Sequence, residues 1–175
     1  MAENNGSEGA VAAGLTAKAG KYLTFKLSAE EYGLEILKVQ EIIKMMDNTR
    51  VPRTPAVVRG VINLRGKVIP VVDLRLKFGM ESHDNTDKTC VIVVQVNQSG
   101  PSGSSSITMG TIVDEVSEVL DIVGSQIEPA PEFGTSVNTD FILGMGKVAK
   151  KVIMLLDIDK VLSSGELAAA AAITN

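Results

Sequence analysis

Asp114, Glu115 and Glu118 form a cluster of carboxylates at the end of a predicted strand. Paired carboxylates carry out acid–base catalysis when burial keeps one of them protonated. These three follow an apolar run that is typical of a strand, and no aromatic residue lies near them in the sequence. Capping and solvation therefore explain them better than catalysis. A small hydrolase that uses this group stays open as an alternative.

The other reactive side chains occur singly. His83 lies in a polar loop, and Cys90 opens an apolar run, where we expect a core residue with an inert thiol. One histidine and one cysteine cannot supply a two-histidine or multi-cysteine metal site. Gly144 to Lys147 is rich in glycine but lacks the spacing of a phosphate-binding loop. We therefore predict no catalytic residue, no metal site and no cofactor.

The composition limits the classes of protein further. Of the 175 residues, 45% are apolar, 17 are basic and 21 are acidic, which supports a folded core in one ordinary domain or two very small ones. The acidic balance and the low aromatic content, 3%, argue against an oligonucleotide-binding barrel and predict no nucleic acid partner. No apolar run could span a bilayer and no signal-peptide pattern is present, so we expect a cytoplasmic protein without direct membrane insertion.

Short strands and turn signals dominate the region between Lys21 and Leu162, a pattern typical of small barrels or sandwiches. Val57–Leu64 and Val68–Asp73 predict a hairpin, because Gly66 between them can adopt the positive φ of a tight turn. Residues 1–20 and 163–175 have little to bury and are expected to be tails, the first of them disordered.

Three further segments carry specific expectations. Leu74–Phe78 is predicted to be a short helix, because Asp73 precedes it and Gly79 follows it. In residues 35–46 the apolar spacing favours a helix, whereas the β-branched residues favour a strand. We expect a helical turn at 37–40 followed by a strand at 41–46. The Gly- and Ser-rich residues 98–106 predict a flexible loop.

An internal repeat organises these elements. Gly, Glu and apolar positions of residues 33–43 recur in register at residues 110–120, 77 positions later. Lys67–Leu74 recurs at Lys151–Ile158, 84 positions later, so each copy ends with a strand, a capping Asp and a short helix. Two copies of this size predict two packed barrels of about five strands each. The expected first barrel spans about residues 28–88, and the second about residues 89–162 with help from residues 21–27.

Two surface features could serve a partner. Arg65 lies at a predicted hairpin tip, where a planar guanidinium is either solvated or an anchor for a carboxylate. Val39 and its counterpart Val116 lie on equivalent turns, and each alone is best explained as barrel core. If the two barrels pack face to face, however, these turns could border a shared apolar groove that accepts a helix.

Two stretches of the sequence resemble the CheW family of bacterial chemotaxis coupling proteins. They are residues 31–42, EYGLEILKVQEI, and residues 60–74, GVINLRGKVIPVVDL, in which the Asn-Leu-Arg-Gly hairpin is highly specific. The resemblance continues through 110–116 and 129–133 and covers nearly all of residues 21–162. The Gly- and Ser-rich loop is longer than is typical of the family.

This resemblance implies an all-β fold of two packed five-stranded SH3-like barrels with short helices. It also implies a non-catalytic adaptor that links the cytoplasmic tip of methyl-accepting chemoreceptors to the regulatory domain of the histidine kinase CheA, at membrane-associated receptor clusters. The kinase domain shares the double barrel, and the helical receptor tip suits the groove. A detached receptor-coupling module of a larger chemotaxis scaffold is the alternative within the same fold.

The family pattern also nominates residues. Val39, Gly60 and Arg65 match positions implicated in coupling, and Glu41 lies in the same motif. The repeat extends the receptor side of the groove to the second copy. The expected receptor-binding residues are Val39, Glu41, Val113, Val116 and Val119, and the expected kinase-binding residues are Gly60, Asn63, Leu64, Arg65 and Lys67.

Overall fold

The structure, a computed structural model, describes residues 18–81, 85–100, 103–130 and 140–162. His83, residues 1–17 of the expected N-terminal tail and the whole tail at 163–175 lie outside the described residues. The strands are β1 (Gly20–Leu27), β2 (Glu30–Glu35), β3 (Val39–Lys44), β4 (Val58–Leu64), β5 (Lys67–Asp73), β6 (Cys90–Gly100), β7 (Gly103–Val113), β8 (Glu115–Ile122), β9 (Ile127–Glu128), β10 (Ile142–Val148) and β11 (Lys151–Leu156). The short helices are α1 (Leu74–Lys77), α2 (Ile158–Val161) and the 3₁₀ helices η1 (Ile36–Lys38) and η2 (Gly124–Gln126).

The strands form two sheets, which confirms the all-β double-barrel prediction. The first barrel has the strand order β3-β6-β7-β5-β4, and the second has the order β8-β1-β2-β11-β10-β9. Strand β6 shows how the barrels pack. Val91 and Val93 point into the core of the first barrel, whereas Ile92 and Val94 point into the cluster between the two barrels. This alternation explains why Val91–Val94 of β6 is a continuous apolar run in the sequence.

The two copies of the repeat exchange strands. The first barrel combines β3–β5 of the first copy with β6 and β7 of the second, and the second barrel combines β1 and β2 with β8–β11. The expected boundaries of the barrels, 28–88 and 89–162 with help from 21–27, follow the sequence repeat and not these two sheets. A sequence repeat identifies the copies, but it does not say which sheet each strand joins.

Two parallel strand pairs join the copies, β5 with β7 and β11 with β2. Val71 lies opposite Gly110 and Leu155 lies opposite Gly33. A Cβ atom at Gly110 would lie 2.7 Å from Cγ1 of Val91, and one at Gly33 would lie 3.0 Å from Cδ2 of Leu155. The repeated glycine therefore permits the close packing that both exchanged pairs need.

Most local predictions hold. The β4–β5 hairpin forms, and α1 begins after Asp73, whose Oδ1 accepts a hydrogen bond from the Arg75 N–H at 3.0 Å. A helical turn followed by a strand forms as expected, but the turn covers Ile36–Lys38 and the strand Val39–Lys44, both earlier than the expected 37–40 and 41–46. The loop expected at 98–106 is wrong, because β6 and β7 stay paired up to Gly100 and Gly103. Backbone pairing does not depend on large side chains, so small residues can continue the ladder.

Among the described residues, no helix is long and apolar enough to cross a membrane. Within the same ranges, no group of three or more potential metal-ligating side chains comes together.

Candidate functional site

Arg65 lies at the tip of the β4–β5 hairpin. Its φ of +54° and the φ of +84° at Gly66 are typical of the tight turn that matches the twist of a hairpin. The Gly66 N–H donates to Oδ1 of Asn63 at 2.8 Å, which fixes the turn. The side chain of Arg65 is 75% exposed. The hairpin therefore presents a guanidinium to solvent on a rigid support.

Glu41 holds that guanidinium in a bidentate ion pair. Nη1 of Arg65 donates to Oε2 at 2.9 Å, and Nη2 donates to Oε1 at 2.8 Å. Glu41 is only 22% exposed and lies on β3, at the opposite edge of the sheet from β4. The pair thus bridges the two edges of the first barrel. It also joins a predicted receptor-binding residue to a predicted kinase-binding residue.

A β-bulge in β3 determines where Glu41 lies. Val39 is opposite Val94 while Glu41 is opposite Val93, so Gln40 is the extra residue. Nε2 of Gln95 on β6 donates to Oε1 of Gln40 at 2.9 Å. This side-chain hydrogen bond ties the bulged residue to the neighbouring strand.

A polar row continues from Gln95 across the sheet. Nε2 of Gln95 also donates to Oγ1 of Thr108 on β7 at 2.7 Å, and Nζ of Lys67 on β5 lies 3.5 Å from the same oxygen. Sequence reasoning missed Gln40, Gln95 and Thr108. The available signal was Gln95 itself, the polar residue within the apolar run Cys90–Val96.

The valines expected on the receptor side differ in exposure. Val39 and Val116 are partly buried and pack against the cluster between the barrels, whereas Val119 is exposed. Val113 is fully buried in that cluster. The strand alternation of β7 turns Val113 inward, beneath the surface that Val116 and Val119 reach, and its receptor contact stays a prediction.

Gly60 and Leu64, expected on the kinase side, also contribute to the fold. Gly60 is buried with a φ of +141°, and a Cβ atom there would lie 2.2 Å from the carbonyl oxygen of Thr49. Gly60 therefore allows the chain before β4 to cross the strand, and its contact with the kinase stays a prediction. Leu64 is partly buried against the core of the first barrel.

Asp114 belongs to a buried clamp between the barrels. Arg75 is fully buried, and its Nη1 donates to Oδ1 of Asp114 at 3.0 Å while its Nε donates to Oδ1 of Asp73 at 3.0 Å. The other oxygen of Asp114 accepts a hydrogen bond from the Ser28 N–H at 2.6 Å. Burial lowers the pKa of Arg75, but Asp73 and Asp114 outweigh it and raise that pKa above its ordinary value.

Both oxygens of Asp114 accept hydrogen bonds from structural partners in this clamp. Asp114 is therefore a poor candidate for the acid–base group of the hydrolase hypothesis. Sequence reasoning missed the role of Arg75. Its partner Asp114 lies 39 residues away, and no local pattern connects the two.

A second clamp has the opposite polarity. Asp159 lies in α2 at the position equivalent to Arg75 in α1, two residues after the capping Asp. Its Oδ2 accepts a hydrogen bond from Nζ of Lys38 at 2.8 Å, and its Oδ1 accepts one from the Asn97 N–H at 2.8 Å. In the first clamp the helix supplies the cation, and in the second it supplies the anion.

Two packed barrels that present Arg65 on a hairpin tip, paired with Glu41 of a bulged edge strand, suit a protein that works by binding partners through its surface. Within that class, the chain belongs to the CheW family: the family model described as a CheW-like domain matches residues 21–166. The chain is thus an adaptor of bacterial chemotaxis.

Individual relatives agree. The chain is 41% identical over 148 residues to the chemotaxis protein CheW of Klebsiella aerogenes, covering 85% of this chain and 84% of that protein. It is 35% identical over 138 residues to CheW of Bacillus subtilis, covering 79% and 81%. The crystal structure of the scaffolding protein TtCheW from Thermoanaerobacter tengcongensis superposes with a TM-score of 0.71 at 34% identity, covering 85% of this chain and 95% of that one.

Proposed function

We propose that this chain links the cytoplasmic tip of methyl-accepting chemoreceptors to the regulatory domain of the histidine kinase CheA. It does so without catalytic activity of its own, in the cytoplasm at receptor clusters. The observation that carries the proposal is the Arg65–Glu41 pair, which displays an exposed guanidinium on a rigid hairpin tip. A guanidinium held in this way loses little side-chain entropy when a partner binds it.

The kinase contact in this proposal lies on the β4–β5 hairpin. Arg65 and Lys67 supply positive charge, Leu64 supplies apolar surface, and Asn63 holds the turn. An acidic or carbonyl-rich surface of the regulatory domain would complement this charge.

The receptor contact in this proposal lies on β3 and its repeat equivalent β8. Val39 and Val116 are the apolar contacts beside the cluster between the barrels, Val119 extends them, and Glu41 forms the polar border. Helical receptor tips present apolar side chains at i, i+3 and i+4, which suits such a surface. Because Glu41 contacts Arg65, the two proposed contacts share a border. Binding of one partner can then alter the contact with the other through a single ion pair.

Calorimetric titration of the chain into the isolated CheA regulatory domain tests the kinase link, and titration with a soluble receptor-tip fragment tests the receptor link. The proposal expects saturable one-to-one binding to the kinase domain and measurable binding to the fragment. Circular dichroism on the same preparation verifies that the chain is folded. A folded chain that binds neither partner contradicts the proposal.

A further inference from the structure

Three side chains of one short segment are each held by a different element. Lys38 is held by Asp159 of α2, Gln40 by Gln95 of β6, and Glu41 by Arg65 of the hairpin. The segment 38–41 therefore has its geometry imposed from three directions. We refer to it below as the pinned segment.

Asp159 differs from the other two anchors because it comes from the second barrel. Helix α2 follows β11 of that barrel, whereas the Asn97 N–H that donates to Asp159 belongs to β6 of the first. One carboxylate thus contacts both barrels and the pinned segment. The side chains of Lys38 and Asp159 are 24% and 26% exposed, so their attraction is less screened than that of a fully exposed pair.

We propose that Asp159 is a positioning residue for the receptor contact: through Lys38 it sets the place of Val39 and Glu41 relative to the second barrel. This inference rests on the proposed function, since it gives a role in that contact to a residue outside it. Asp159 itself touches no partner. Its action is to keep the two sides of the contact, one on each barrel, at a fixed spacing.

A double-mutant cycle tests the inference. Lys38→Met and Asp159→Asn each remove the ion pair, and the amide introduced by Asp159→Asn keeps an oxygen that can accept a hydrogen bond from the Asn97 N–H. Each variant should weaken binding of the receptor-tip fragment about fivefold, and the double variant should be no weaker than either single variant. Lys38→Arg, which keeps the charge, should restore affinity to within about twofold of the wild type.

The ion pair between Lys147 and Glu128 is the matched control. Its Nζ and Oε1 atoms are 2.7 Å apart, but both side chains are 55% exposed and neither belongs to the pinned segment. Lys147→Met should therefore leave binding of the fragment unchanged. An equal loss in this control would show a general charge effect and overturn the inference.

A readout without any partner separates this inference from the proposed function. The Val39 N–H donates to the carbonyl of Ile36, so its hydrogen exchange reports on the order of this segment. In Asp159→Asn this exchange should accelerate about tenfold, while exchange at Val91 and Val93 stays the same. Unchanged exchange at Val39 overturns the inference even if the wild type binds no receptor. Faster exchange with unaltered binding by a receptor-competent chain overturns it too.

Discussion

Reversal of charge at Arg65 gives the sharpest test of the hairpin surface. Arg65→Glu removes the bidentate ion pair. The carboxylate of the new Glu side chain then faces the carboxylate of Glu41, and the two repel each other. Arg65 is 75% exposed, so the new side chain can turn into solvent. Exposed pairs contribute at most about 1 kcal/mol, and we expect the free energy of unfolding to fall by no more than that.

The effect on kinase affinity should be larger than the effect on stability. If the guanidinium meets a desolvated acceptor on the regulatory domain, the substitution costs about 1–3 kcal/mol of binding, or about 5- to 150-fold in Kd. Calorimetry gives the affinity, and urea unfolding gives the stability. Lys150→Glu is the matched control, because Lys150 lies at the equivalent hairpin tip of the second barrel with the same change of charge.

The double variant Arg65→Glu/Glu41→Arg exchanges the two charged residues of the ion pair. It shows whether Arg65 contacts the kinase directly or acts only through its pair with Glu41. The double variant restores the ion pair with its charges exchanged, but residue 65 then presents a carboxylate to the kinase instead of a guanidinium. Affinity should therefore stay low if Arg65 touches the kinase. Recovery of affinity would refute this reasoning and show that the pair acts by holding β3. Unchanged affinity in folded Arg65→Glu would remove Arg65 from the contact.

Three further changes have defined outcomes. Val39→Asp should weaken binding of the receptor fragment while kinase affinity is largely retained, and calorimetry with both partners would contradict the assignment if both affinities fell together in a folded variant. Gly60→Ala should lower the free energy of unfolding in urea by about 2–4 kcal/mol, because the added Cβ would lie 2.2 Å from the Thr49 carbonyl oxygen. A loss below about 0.5 kcal/mol would mean that the backbone at Thr49 moves away and that the close approach is not required. Burial, and then the charge of Glu35, raise the pKa of Tyr22 to about 12, so its neutral form favours the folded state and stability should decline as pH rises from about 10 towards 12. Tyrosinate absorbance would contradict this if Tyr22 of the native protein titrated near 10.

Features that a few neighbouring residues determine were predictable from the sequence. The hairpin tip at Arg65 and Gly66 and the helix after Asp73 depend on backbone preferences and on one capping bond. Arg65 stood out for the same reason, because a turn between two apolar strands must expose its central residues. The repeat was visible because both copies keep the same glycine and the same capping Asp.

Features that depend on contacts between distant residues were not predictable from one sequence. The strand exchange leaves every local pattern unchanged, since β6 satisfies the same alternation in either barrel. The sequence repeat shows that Val113 has a counterpart in the first copy, but it does not show that Val113 is buried. Val113 was therefore expected on the receptor side of the groove. Glu41 and Arg65 are 24 residues apart, and nothing in either segment specifies that the two edges of the sheet meet.

The exchange of strands between the repeats has a consequence for how this chain can be divided. A fragment that ends after α1 would lack β6 and β7, and it would leave Val71–Asp73 of β5 without a parallel partner. Such an unpaired edge recruits a strand from another chain. Two identical half-chains could pair the exposed β5 edge of each chain only if each chain supplied a hairpin to the other, as in a domain-swapped dimer. The protein has the connectivity of such a dimer with its two chains fused between β5 and β6, so the two barrels should fold and unfold as one cooperative unit.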